Sequence, residues 1–197
     1  MENLEHLIKE KKLEQLIKIY TPEALVQSLS FTKALILSKS LLENENWDSD
    51  LQKFGIDLIE KLKQLNSLEW NKNWKHEAYL AYAYEVLGWD IEKEFDSYSL
   101  AIQKSTNPPL ELAMHMALLW SYPGIYKIKM DEETAISILE KVAQKIPYME
   151  AVGGLIRLYD ATNQSAKATY WKNILTESEK KDLYDKRTYL DFFKDYE

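Results

Sequence analysis

Apolar residues along this chain recur at helical spacing over long stretches, and no stretch alternates them convincingly with polar residues at strand spacing. The punctuation between these stretches is that of helices. Thr21–Pro22–Glu23 supplies a capping hydroxyl, a proline at the first helical position and an early acid. Asp48 and Ser49 open DLQKFGIDLIEKLKQLN, Asp90 and Asp131 stand before two further stretches, and Pro108–Pro109 before another. Gly88, Pro123–Gly124, Pro147 and Asn163–Gln164 fall where helices would end. The pattern predicts about nine or ten helices joined by short loops, an all-α chain.

Projected at 100° per residue, the helices divide into two kinds. In residues 90–104, Ile91, Phe95, Tyr98 and Ile102 gather on one side while Glu92, Glu94 and Asp96 point elsewhere. That is an outer helix. In WKHEAYLAYAYEVL, residues 74–87, the apolar arc covers nearly every side and leaves only a strip at Glu77, Tyr84 and Glu85. Residues 110–122 behave likewise, with a strip of Glu111, His115 and Tyr122. A helix apolar on both sides must pack against its own partner and against the next pair. The expected architecture is therefore one of stacked antiparallel helical hairpins.

Three segments add detail. Ala135, Leu139, Val142 and Pro147 follow the small–large–apolar–proline spacing of the second helix of a tetratricopeptide repeat. Tyr159, the turn at Asn163–Gln164, Ala168 and Leu175 resemble a further unit, and Ala101 with Pro108 a looser one. The chain thus resembles the tetratricopeptide-like and Sel1-like helical repeat proteins over residues 74–182, in repeats near 74–108, 109–147 and 149–182. Residues 109–122 lack the family's first-helix tryptophan–leucine–glycine set, and residues 1–70 match no repeat. The resemblance implies a short right-handed solenoid that binds other proteins in a groove lined by the first helix of each pair, and it implies no catalysis. The whole is read as a single all-helical domain over 1–197, with N-terminal helices in 1–70 as a cap and a C-terminal helix in 183–197.

Composition narrows the function. A 197-residue chain with 46% hydrophobic residues has the apolar surface for a core and is not disordered. Cysteine is absent, which removes disulfides, thiolate metal sites and cysteine nucleophiles. Charges interrupt the N-terminal apolar positions, and no run approaches the roughly 18 uncharged apolar residues of a membrane span. A cytoplasmic protein without membrane attachment is expected. The net charge of −7 is also localised: residues 43–96 hold 13 acids against six lysines, so the remainder of the chain is neutral. An acidic field repels phosphate backbones and hastens encounter with a basic partner. The lysine runs at 9–12 and 179–187 are broken by acids, so nucleic acid is not the expected partner.

Signals of chemistry are sparse. Glu111 and His115 share a helix face at i,i+4, a spacing that suits proton transfer or half a metal site, but no second helix offers a matching pair. His76 beside Glu77 reads as structural. No Gly-x-Ser-x-Gly occurs, and the two glycines of AVGGLIRL sit inside a helix, where close packing is their expected role. Among six tryptophans, Trp47 stands out because it lies in the polar acidic run ENENWDSD. An exposed tryptophan ringed by acids has the character of an anchor for a basic partner.

The expectation is a non-enzymatic module that binds a basic protein or peptide, needs no cofactor or metal, and acts as an inhibitor or immunity protein neutralising a toxin. An adaptor or chaperone carrying a client is the alternative within that class, and a helical-bundle enzyme centred on Glu111 and His115 the alternative outside it. The expected groove comprises Trp74, Glu77, Ala81 and Tyr84, then Glu111, His115 and Tyr122, continued by Glu150 and Arg157, with Trp47 as a separate anchor.

Overall fold

Every regular element formed by the described residues is helical, as the spacing of apolar positions predicts. The structure, a computed structural model, describes residues 4–44, 46–87, 90–121, 129–145, 149–179 and 188–195. In chain order the α-helices are α1 (Leu4–Lys9), α2 (Leu13–Ile19), α3 (Pro22–Ser28), α4 (Phe31–Leu42), α5 (Ser49–Leu65) and α6 (Ser67–Trp70). They continue as α7 (Trp74–Leu87), α8 (Ile91–Lys104), α9 (Leu110–Leu118), α10 (Glu132–Lys145), α11 (Met149–Ala161) and α12 (Ser165–Glu179). Short 3₁₀ helices cover Leu119–Ser121 and Thr188–Asp195. The expected caps act as such: Thr21 Oγ1 accepts from the Ala24 amide, Asp48 from Asp50 and Leu51, Asp90 from Lys93, and Asp131 from Thr134.

The chain divides into two compact units, one of residues 1–89 with 191–197 and one of residues 90–190. The boundary falls between α7 and α8, so the hairpin expected over 74–108 is split between the units.

In the first unit α5 is the central element, contacted by α2, α3, α4, α6 and α7. Its closest neighbour is α4, and Gly55 shows why. A Cβ at Gly55 would lie 3.1 Å from Leu41 Cβ, 3.1 Å from Leu42 Cγ and 3.3 Å from the Ser38 carbonyl oxygen. The two helices therefore approach closely at Gly55, where a side chain would require Leu41, Leu42 or the Ser38 carbonyl to give by a few tenths of an ångström. The polar groups at this crossing are satisfied locally. Ser38 Oγ donates to the Leu35 carbonyl at 2.6 Å, and Gln52 Nε2 donates to the Leu42 carbonyl at 3.3 Å.

The C-terminal segment returns to this unit, within the region expected to be helical. Phe192 and Phe193 are buried, with the Phe193 ring edge-on to Tyr79 at 4.6 Å and Phe192 at 5.8 Å from His76. His76 is structural, as read: its Nδ1–H donates to the Trp70 carbonyl at 2.9 Å, and Phe31 and Trp70 pack against its ring.

In the second unit each helix from α8 to α12 packs on the next in sequence. The turn read at Asn163–Gln164 closes α11 by a paired hydrogen-bond pattern. The Gln164 amide donates to Tyr159 at 2.8 Å and the Asn163 amide to Asp160 at 3.3 Å, with Asn163 left-handed at φ 58°. Tyr159, fully buried, also reaches across to α10, where its hydroxyl donates to Glu140 at 2.5 Å. Burial and the Glu140 carboxylate hold this phenol above its ordinary pKa. Of the paired glycines, Gly154 is the one fixed by packing: a Cβ there would meet Leu118 Cδ2 at 2.5 Å, whereas one on Gly153 meets only Arg157 at 3.6 Å.

Two predictions follow from this packing. Alanine gains up to about 1 kcal/mol over glycine in a helix interior. Gly153→Ala should therefore raise stability by about 0.5–1 kcal/mol, while Gly55→Ala should gain less than Gly153→Ala or lose up to about 1–3 kcal/mol, because Leu41, Leu42 and the Ser38 carbonyl stand 3.1–3.3 Å from the added Cβ; denaturant titration separates them. For Tyr159 the folded pKa exceeds the unfolded value of about 10, so the unfolded chain ionises first and stability falls as pH rises above about 10. Tyr159→Phe should lose less stability than the parent between about pH 9 and 11, which urea titrations at the two pH values measure.

Candidate interaction site

Because α4 and α5 touch at Gly55, the chain must reverse between them within residues 43–48. Asn44 braces that reversal. Its side-chain Nδ2 donates to the Leu41 carbonyl at 2.8 Å, and its Oδ1 accepts from the Asp48 amide at 2.8 Å. The Trp47 amide donates to the Asn44 carbonyl at 3.2 Å. Trp47 itself takes a left-handed backbone at φ 50°, a conformation that costs a bulky residue free energy. The indole then points away from the core and is 68% exposed. By contrast Trp70 and Trp171 are buried, Trp74 and Trp120 are half-buried, and Trp89 lies outside the described residues.

Beside Trp47 is a cavity of about 330 Å³ lined by Leu42, Glu43, Asn44, Trp47, Tyr82, Ala83 and Val86. It thus combines the end of α4, the braced loop and the second half of α7. Tyr82 sits over Tyr79 with ring centroids 6.3 Å apart, and burial together with the Glu43 charge holds the Tyr79 phenol well above its ordinary range. Glu43 also meets Lys39 at 3.8 Å, one turn earlier on α4. A second cavity of about 510 Å³ in the same unit shares Glu43 and Asn44 and is lined further by residues 11–15, by Ile36, Lys39 and Ser40 of α4, and by Asn46 and Leu51.

Several residues of the groove expected from the helix projections are buried. On α7, Glu77 and Tyr84 are buried rather than presented to solvent, and Ala81 is fully buried. The reason is α5: Lys63 Nζ lies 2.8 Å from Glu77, and the Tyr84 hydroxyl donates to Glu60. The projection places a polar strip toward solvent, yet a neighbouring helix with the matching polar residues covers it. On α9, Glu111 and His115 are likewise buried, and Tyr98 of α8 stacks on the His115 ring at 5.7 Å and 14°. Trp74 is half-buried at the start of α7, and Tyr122 lies outside the described residues. Glu150 and Arg157 are exposed on α11, with the Arg157 guanidinium donating to Ser121 Oγ at 2.9 Å.

Trp47, Trp74, Glu77, Ala81 and Tyr84 belong to the first unit, and Glu111, His115, Glu150 and Arg157 to the second. Of these, Trp47 alone lines the cavity beside it. Tyr82, Ala83 and Val86 belong to the apolar arc of α7, which by itself signals a core position and not a cavity wall. Asn44, the brace, stood in the quoted acidic run, three residues before the tryptophan. Among the described residues, no group of three or more His, Cys, Asp or Glu is placed to hold a metal ion, and no helix is long and apolar enough to cross a membrane.

Since Trp47 buries little and occupies a left-handed backbone, Trp47→Gly should leave stability unchanged or raise it by up to about 1 kcal/mol. A tryptophan held for folding would instead lose about 3–5 kcal/mol on truncation, and thermal unfolding distinguishes the two. No protein-family model, curated protein or solved structure matches this chain.

Proposed function

We propose that this chain is a non-enzymatic protein-binding module that captures a basic protein, with Trp47 as its anchor. The observation that carries the reading is the exposure of Trp47 on a braced loop beside a cavity, within the segment that holds the whole net charge of the chain. A rigid exposed aromatic offers contact area at little conformational cost, and tryptophan is enriched among residues that dominate interface energies. The surrounding acids add steering and selectivity. Their arrangement suits an inhibitor that masks the cationic face of its target, as a toxin-neutralising immunity protein does, and equally an adaptor that carries a basic client.

The repeat architecture is part of the same proposal: a short solenoid of tetratricopeptide-like helix pairs in the second half of the chain. Its support is the sequential packing of α8 to α12 and the burial of Ala135, Leu139, Val142, Tyr159 and Ala168, the positions where the repeat pattern requires core residues. Pro147, the last position of that pattern, lies outside the described residues. An enzyme centred on Glu111 and His115 has less support, because both side chains are buried and offer little surface to a substrate.

Capture from the native host's lysate tests the binding reading. The parent chain should retain a basic protein in stoichiometric amount at low salt and release it as salt screens the acids. Trp47→Ala should reduce retention by a factor of about ten or more, the cost of removing a hot-spot tryptophan. Equal retention by the parent and Trp47→Ala, or capture indifferent to salt, would contradict it.

A further inference from the structure

Resting on the reading of Trp47 as a partner anchor, we infer that the cavity beside it is a receptor for a single alkyl cation, the end of a lysine or arginine side chain of the bound protein. Three features of the cavity specify that ligand. The first is its chemistry: two aromatic residues, Trp47 and Tyr82, and one carboxylate, Glu43, line the same space. Aromatic faces attract a cation through their quadrupoles, and a carboxylate adds a full opposite charge. The second is the apolar wall of Leu42, Ala83 and Val86, which suits the methylene stem that carries such a charge. The third is size. About 330 Å³ stands at the lower end of the range for small-molecule sites, room for one side chain and not for a folded segment.

The neighbouring cavity sharpens the assignment by contrast. Lys11, Lys12 and Lys39 line it together with Glu14 and Glu43, so its carboxylates already stand among resident cations. No lysine or arginine is among the described residues lining the Trp47 cavity. Lys39, 3.8 Å from the shared Glu43, is the resident cation with which a ligand competes for that carboxylate. The Asn44 side chain ties Leu41 to Asp48 beside the left-handed Trp47, and holding these residues before the ligand arrives lowers the ordering cost of binding.

The test is a nuclear magnetic resonance titration of the full chain, following the Trp47 indole N–H, assigned from its loss in Trp47→Phe. The probes are N-acetyl-lysine methylamide, N-acetyl-arginine methylamide and the uncharged N-acetyl-norleucine methylamide. A saturable shift with both cations, weaker by about threefold or more with norleucine, is expected at low salt. Glu43→Gln should weaken the cations by about threefold, and Lys39→Met should strengthen them. Both substitutions lie on partly exposed side chains, and the backbone amide spectrum verifies that each variant is folded. An equal response to norleucine, or cation binding unchanged in Glu43→Gln, overturns the receptor. If the cations fail to saturate while Trp47→Ala still abolishes partner capture, the receptor falls and the anchor stands. If they saturate while capture ignores Trp47, the receptor stands and the anchor falls.

Discussion

Backbone contact between α4 and α5 at Gly55 is the constraint from which the arrangement of the first unit follows. Two consecutive helices that approach this closely are joined by a short reversal, which lies between Leu42 and Ser49. The polar groups of that reversal are met by Asn44, leaving Trp47 in a left-handed backbone with its ring outside the core. The same close packing brings α5 to the centre, where its Glu60 and Lys63 meet the polar strip of α7. With α7 fixed on that side, its opposite residues Tyr82, Ala83 and Val86 complete a cavity with the end of α4. One glycine contact thus links the packing of three helices to the placement of the exposed tryptophan.

Charge is used in two ways in this chain, and the structure separates them. Glu77 is buried against Lys63, and Tyr84 is bonded to Glu60, so these groups specify how α7 seats on α5. A buried ion pair is weak evidence of net stabilisation, because desolvation offsets much of the attraction. Its contribution is orientation. Glu43 and Asp50, by contrast, are exposed beside Trp47, Glu43 with Lys39 at 3.8 Å, and their field extends into solvent. Counting the acids of residues 43–96 as one field therefore overstates the steering charge by those that are internally matched.

Much of the secondary structure was legible in the sequence, since caps and apolar spacing are local signals. Thr21, Asp48, Asp90 and Asp131 act as read, and Asn163 terminates α11 through its tolerance of a left-handed backbone. The candidate site was legible only at Trp47, whose polar surroundings argued against a core role. The expected groove residues Glu77, Tyr84, Glu111 and His115 are buried because a helix projection shows which face is polar, and not which neighbour covers it. Glu60 and Lys63 lie 14 to 24 positions before their partners, beyond any local periodicity. The same limit applies to Phe192 and Phe193, whose burial against Tyr79 depends on a return of the chain that no nearby residue signals.

The most direct measurement is amide hydrogen exchange of the full chain, free and saturated with its captured partner. The expected result is slowed exchange in the 43–48 loop and around Tyr82–Val86 of α7, the two segments that meet at the cavity. Protection gathered on α9 to α12, with the Trp47 loop exchanging as in the free protein, would contradict the assignment of this loop as the binding site.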